Sequence, residues 1–235
     1  MIKGIKNYLS PLVEKPFGPA LYAFLTILIP SGVLLVLTSL EPSLYDILSA
    51  SRNTPWGIFT SIFVHSGVAH FGGNIVVLLA FLFLFVKLEE TLPQEHQYRD
   101  SRFLGLSMFL CGMIANSLFL VVSIGSSAGA SGVVYACEGV ITGFAFLIAL
   151  SGRLSLDHLK RHQLDTQERQ TIRGIVVFIG LFGFFLLFRG AFLSSGQGVN
   201  TFVHLLGYIL GFASVGVTEL YYIFRRTQSS NTGKL

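Results

Sequence analysis

The stretch of sequence that decides the fold is GASGVVYACEGVITGFAFLIAL, residues 129–150. A helix of about 20 predominantly apolar residues is long enough to cross the hydrocarbon core of a bilayer, and this stretch contains a single charged residue, Glu138. Small residues recur along it at Gly132, Ala136, Gly139 and Gly143. Such a stripe lies on one helix face and lets a neighbouring helix approach closely. The stretch therefore predicts a membrane-spanning helix that packs tightly inside a bundle.

The whole chain has the composition of a membrane protein. Of its 235 residues, 52% are hydrophobic and 12% are charged, and the mean hydropathy is +0.68. The charged share is about half that of a soluble globular domain, so polar surface is too scarce to cover a water-soluble particle. The net charge of +4 is typical of membrane proteins with Lys and Arg in their cytoplasmic loops. We therefore expect the lipid bilayer as a partner, and no nucleic acid.

Six apolar stretches of roughly membrane-spanning length follow one another along the chain. They lie at about 17–40, 68–88, 103–124, 131–150, 172–193 and 202–224. They predict an all-α, polytopic membrane protein with a six-transmembrane-helix bundle. The bundle forms a single membrane domain over residues 1–235, in which 225–235 is a short cytoplasmic tail. The third and fourth spans are joined by a very short loop, residues 125–130.

The distribution of Lys and Arg predicts the orientation. With six spans, all of the 16 Lys and Arg residues except Arg52 and Arg189 fall on one side. Because cytoplasmic loops carry the excess of positive charge, both termini are expected in the cytoplasm of a multi-pass cell-membrane protein. The second, fourth and sixth spans then all begin at the outer side.

Cysteine and histidine usage gives no reason to expect a metal or another cofactor. Cys111 and Cys137 are the two cysteines, and both lie inside apolar runs, so neither a disulfide framework nor a Cys-based metal site is indicated. The six histidines are not spaced as a set of ligands.

Polar side chains inside a span are costly and mark functional sites. His70 and Asn74 lie four residues apart at the start of the second span and so share a helix face. Ser131 begins the fourth span, and His204 lies at the start of the sixth. The predicted topology brings these groups to a similar depth. Because a serine hydroxyl needs an adjacent base, most often neutral imidazole, Ser131 is a candidate nucleophile and His204 its candidate base.

Each of these residues also has a structural interpretation. Ser131 could cap its helix, His204 could be a polar helix end, and Asn74 could bridge two helices. Together with the single acidic residue of the fourth span, Glu138, polar residues inside the bundle would also suit a transporter. The clustering at one depth and the lack of a visible inverted repeat favour an enzyme.

The combination of motifs resembles the rhomboid family of intramembrane serine proteases. Three family motifs are present in order on three spans: Gly-x-Ser-Gly at 129–132, His-x-x-x-x-His-x-x-x-Asn as His65, His70 and Asn74, and His with spaced glycines as His204, Gly207 and Gly211. The six-span layout of the family accounts for essentially the whole chain. Together the motifs are far more specific than a single Gly-x-Ser-Gly.

The resemblance implies a serine endopeptidase that cleaves transmembrane segments of other membrane proteins near the outer face. It implies a Ser131–His204 dyad and an oxyanion hole formed by the side chains of His70 and Asn74 with the Ser131 backbone N–H. Tyr135 matches a family aromatic that packs against the catalytic imidazole. A catalytically inactive relative that binds membrane proteins is the remaining alternative, although such relatives generally lack the Ser or the His.

The sequence departs from the family pattern at two positions. The family often has Trp-Arg between the first two spans, where this chain has Trp56-Gly57. Loss of the arginine could loosen the loop but would not remove the chemistry. Glu138 stands where an apolar residue is common. It lies seven residues from Ser131, about 10 Å along the helix axis at 1.5 Å per residue. We expect a buried Glu138 that is hydrogen-bonded to a neighbouring helix rather than a direct partner of His204.

Overall fold

The structure is a computed structural model, and it describes residues 17–89, 94–123, 125–151, 166–187 and 201–232. Within these ranges the protein is α-helical and has no β-strand. The eight α-helices described are α1 (Phe17–Leu40), α2 (Ser43–Leu48), α3 (Gly57–Thr60), α4 (Val68–Glu89), α5 (Gln94–Val122), α6 (Ser131–Ser151), α7 (Thr166–Leu187) and α8 (Thr201–Thr232). A 3₁₀ turn, Ser61–Phe63, follows α3.

The protein is a multi-pass membrane protein. In the described part of the chain, five helices are long and apolar enough to cross a bilayer: α1, α4, α5, α6 and α8. The predicted fifth span corresponds to α7, but its last part, residues 188–193, lies outside the described residues. The count of six spans and the single-domain division therefore stay predictions.

Three helices extend beyond the predicted spans. α7 begins at Thr166, six residues before the predicted start at 172. α5 begins nine residues before the predicted start at 103, because the polar residues 94–102 continue the same helix. α8 continues to Thr232, so most of the predicted tail, 225–235, extends the last helix. Helical hydrogen bonding does not stop where apolar composition stops, which is why hydropathy misses these three extensions.

α6 is the central helix of the bundle. In its membrane-spanning window 78% of the residues are buried, against 33% or less in the other four candidate spans. It contacts α4, α5, α7 and α8. A helix surrounded in this way has little lipid-facing surface and is held by protein along its length.

α6 and α8 are in backbone contact along the predicted small-residue stripe. A Cβ added at Gly207 would lie 2.5 Å from the carbonyl oxygen of Gly132, and one added at Gly211 would overlap the carbonyl of Ala136. Gly139 in turn leaves no room for a side chain against the backbone of Tyr208. In a bilayer, such close contacts hold helices together through dispersion forces rather than hydrophobic exclusion.

The segment 41–63, which precedes α4, is braced by its own hydrogen bonds. Trp56 Nε1 donates to the carbonyl of Ile47 at 2.8 Å, and the Thr60 hydroxyl donates to that of Leu48 at 2.6 Å. Gly57 is buried, and a Cβ there would overlap the backbone of Ala50. The segment is therefore held by specific hydrogen bonds and by close backbone contact at Gly57.

Candidate active site

A cavity of about 280 Å³ opens at the end of the bundle where α4, α6 and α8 begin. All five residues singled out from the sequence line it: His70, Asn74, Ser131, Tyr135 and His204. They come from three helices and are separated by up to 134 positions in the chain. The remaining lining is small or apolar, as with Ala69, Gly73, Val77, Ala128 and Val134.

Ser131 is the first residue of α6. The backbone N–H of a first helical residue has no acceptor within its own helix, and the positive end of the helix dipole favours negative charge there. Next to it, a Cβ on Gly132 would lie 2.7 Å from a methyl group of Val203. Since Val203 precedes His204, this contact holds the start of α6 beside the start of α8.

The imidazole of His204 is 7% exposed and packs against Tyr135. The two ring centroids lie 4.3 Å apart with the planes tilted by 40°. Nδ1 of His204 is buried and has no hydrogen-bond partner in the described part of the chain. Contact with Tyr135 limits rotation of the imidazole, so the ring is held in one orientation at the cavity wall.

No hydrogen bond joins Ser131 to His204 among the described residues, although both line the same cavity. Catalytic hydrogen bonds are often long or poorly aligned in an enzyme without substrate and tighten in the substrate complex. Ser131 and His204 therefore line one cavity without a direct hydrogen bond between them.

His70 is held by a residue that precedes its helix. Nδ1 of His70 lies 3.1 Å from the Ser66 hydroxyl, which can donate to it. In that tautomer the proton of the neutral ring resides on Nε2. A Cβ on Gly129 would lie 2.9 Å from Nε2 of His70, so this nitrogen faces the loop immediately before Ser131. The ring can thus offer an N–H donor beside the serine.

Asn74 lies one helical turn after His70 and offers a second donor. Its Nδ2 is buried and unpartnered within the ranges that the structure covers, and it lies 3.7 Å from the Cβ position of Gly129. An unsatisfied buried donor costs about 1–3 kcal/mol. Such a group beside a cavity is poised to bind an acceptor that enters from outside the protein.

The loop before Ser131 needs glycine at position 129. Gly129 has φ = +111°, a region that side-chain-bearing residues rarely adopt, and the His70 imidazole occupies the space that a Cβ would need. Its N–H donates to the Ser61 carbonyl at 2.8 Å. The loop is therefore fixed by glycine geometry on one side and by a backbone hydrogen bond on the other.

Glu138 is fully buried, as its position in the sequence led us to expect. The expected hydrogen bond to a neighbouring helix is not found: neither carboxyl oxygen has a partner among the residues described. Glu138 is not among the residues that line the cavity, which ends at Tyr135 on this helix.

A second group of polar residues, not identified from the sequence, supports the loop. Asn116 of α5 is 3% exposed; its amide donates to the Ser61 hydroxyl at 3.1 Å and accepts from the Ser127 hydroxyl at 3.3 Å. A lone asparagine in an apolar span is itself a signal of this kind. Ser66 could have been found from its spacing, four residues before His70.

The sequence model of the Rhomboid domain matches residues 52–219. This range covers well over half of the chain and includes every residue that lines the cavity. The chain therefore belongs to the rhomboid family. No curated protein sequence matches the chain.

Proposed function

We propose that this rhomboid-family protein is an intramembrane serine endopeptidase that hydrolyses peptide bonds within or beside transmembrane segments of other membrane proteins. The observation that supports the proposal best is the shared cavity. It is lined by a serine at a helix start, a buried imidazole and two side-chain donors. These are the groups that acyl transfer by a Ser–His dyad requires.

In the proposed reaction the Ser131 hydroxyl attacks the scissile carbonyl carbon while His204 takes its proton. The carbonyl oxygen becomes an oxyanion, to which the Ser131 N–H, His70 Nε2–H and the Asn74 amide donate hydrogen bonds. His204 then gives its proton to the leaving amine. A water molecule repeats the sequence on the acyl-enzyme and regenerates Ser131. The presence of both side chains in the lining of one cavity supports this dyad.

The oxyanion donors are expected to contribute most to the rate. Removing one such donor typically lowers kcat by about a hundredfold to a thousandfold. The buried Asn74 amide lacks any other acceptor within the described ranges, so its full donor strength is available to the oxyanion. The clustering of these polar groups at one cavity supports an enzyme over a transporter. A conducting site would need its polar groups spread along the bundle.

The proposed topology has both termini in the cytoplasm and the cavity near the outer face of the cell membrane. It rests on the charge asymmetry of the sequence, in which Arg52 and Arg189 stand apart from the other cationic residues. Substrates would then be membrane proteins that present a cleavable segment to the outer leaflet. Labelling of cysteines introduced at either terminus, in intact and permeabilised cells, tests this orientation.

The experiment that tests the function is cleavage of a fluorescently labelled transmembrane substrate by the purified protein in liposomes. Ser131→Ala and His204→Ala are each expected to abolish cleavage and labelling of Ser131 by a fluorophosphonate. Ser117→Ala is the matched control, because its hydroxyl bonds only to the Met113 carbonyl of its own helix. Cleavage by Ser131→Ala at the wild-type rate contradicts the proposal. Absence of cleavage and of labelling in the wild type would indicate a binding protein.

A further inference from the structure

Backbone hydrogen bonds join the loop before Ser131 to the segment 41–65. Ala50 and Ser127 exchange N–H···O bonds of 2.9 Å in both directions, and the Gly129 N–H donates to the carbonyl of Ser61. The next N–H along the loop, that of Ala130, has a side chain as its acceptor. It donates to Nε2 of His65 at 3.3 Å.

His65 is the residue whose side chain connects this loop to the candidate oxyanion donor. It is 2% exposed and lies before α4. Its ring meets the ring of His70 edge-on, with centroids 5.2 Å apart and planes at 70°. The ring of Phe71 packs on it in the same way at 5.4 Å. His70 is therefore held between the Ser66 hydroxyl and the ring of His65.

The hydrogen bonds of His65 define its protonation. The Ala130 N–H can only donate, so Nε2 must be an unprotonated acceptor. Nδ1 then carries the proton, and it faces the carbonyl of Phe63 at 3.3 Å. Burial, together with the neighbouring His70, lowers the pKa of His65 to about 4. The ring is thus neutral at pH 7, as the hydrogen-bond pattern requires.

We infer that His65 is a positioning residue for the oxyanion site, which it serves without touching substrate. Through Nε2 it fixes the peptide N–H that immediately precedes Ser131. Through its ring it fixes His70, which lines the same cavity. The inference rests on the proposed proteolytic function. A hydrogen-bond donor displaced by about 1 Å can lower a rate by as much as a hundredfold. Small movements of the Ala130 peptide or of His70 are therefore expected to lower the rate.

Two polar substitutions separate this role from general packing. In His65→Gln the side-chain oxygen can reach the Ala130 N–H, as Nε2 does. In His65→Asn the side chain is one methylene shorter and loses this contact. For a positioning role, kcat should fall in the order wild type, Gln, Asn, with Asn at least about tenfold below wild type and KM unchanged. Thr60→Val is the matched control, because it removes the bond to Leu48 in the same segment.

The measurement is cleavage kinetics in liposomes on the monodisperse fraction of each variant, with thermal unfolding recorded in parallel. Equal kcat values for the Asn and Gln variants, or a wild-type kcat in the Asn variant, would overturn the inference, whatever the unfolding temperature. A parallel rise in KM would point to a deformed substrate cavity and would also overturn it. A wild-type protein that cuts nothing contradicts the proposed function instead, so the two failures are distinguishable.

Discussion

Two helix contacts in this protein are built in opposite ways. Between α6 and α8, glycines bring backbone against backbone, and a Cβ at Gly139 or Gly211 would overlap the facing helix. Between α1 and α4, a wholly apolar cavity of about 470 Å³ remains, lined by side chains such as Leu21, Phe24 and Phe83. The first contact carries Ser131 and His204 and the second carries neither. The proposed dyad therefore lies on a contact that leaves the two helices little freedom to shift.

The largest effect is expected from breaking the tight contact at Gly211. Gly211→Ala places a methyl group against the Ala136 carbonyl, and overpacking of this kind typically costs about 1–3 kcal/mol. The helices must separate, so cleavage should be lost as stability falls. Thermal unfolding in detergent and liposome cleavage assays measure both.

The control for Gly211→Ala lies farther along the same helix. Gly216 has open space around its Cβ position, so Gly216→Ala should leave cleavage unchanged and slightly raise stability through helix propensity. Equal loss of activity in the two variants would contradict the importance of the tight contact.

The next largest effect is expected at Gly129, beside the tight contact. Gly129→Ala forces an alanine to φ near +111° and pushes the His70 ring. The strain is about 1–2 kcal/mol, while kcat should fall by about a hundredfold, as for loss of an oxyanion donor. Comparison of kcat with the unfolding temperature shows whether activity is lost ahead of stability. Unaltered kcat would mean that His70 does not act from this position.

A smaller effect on the stability of the fold is expected when the pH is lowered. Burial lowers the pKa of His65 to about 4 from its usual 6.5, so the unfolded state binds the proton more readily than the folded one. The stability contributed by neutral His65 is complete above pH 6.5 and is lost as the pH falls towards 4. Unfolding measured across this range should show a shallower pH dependence in His65→Gln than in wild type. Identical slopes would exclude a buried, neutral His65.

The smallest effect is expected at the loose contact. Ala80→Leu adds three carbon atoms beside the apolar cavity between α1 and α4, where the space can take them. Stability should change by less than about 1 kcal/mol, since surface substitutions away from packed features usually do, and kcat should not change. A loss of activity here would show that the two contacts are coupled and would weaken the comparison between them.

The parts of the fold that depend on composition along one helix could be predicted from the sequence. α1, α4 and α6 begin within a residue of the predicted spans because apolar runs and their helix-start residues are local signals. The position of Ser131 and His204 at one cavity could also be predicted, since the predicted topology and the glycine spacing indicate which helix ends meet.

What could not be predicted depends on contacts between distant segments. The pairing of Ala50 with Ser127 is made by main-chain atoms and leaves no trace in the side-chain pattern. The roles of Asn116 and His65 require knowing which loop each side chain faces. The prediction of a hydrogen-bond partner for Glu138 was wrong for the same reason. An apolar run predicts that a residue is buried, but it does not predict which groups face that residue.

The close backbone contact at Gly57 affects the comparison of this chain with relatives that carry arginine at that position. The Ala50 backbone fills the place where a side chain would begin, and Ala50 is also paired with Ser127 next to the cavity. Arg52 instead reaches the carbonyls of Leu120 and Val121 at the end of α5. An arginine at position 57 would therefore overlap the Ala50 backbone in the loop path of this chain. A chimaera between such chains should exchange the segments 41–65 and 123–130 together, because the pairing of Ala50 with Ser127 joins them.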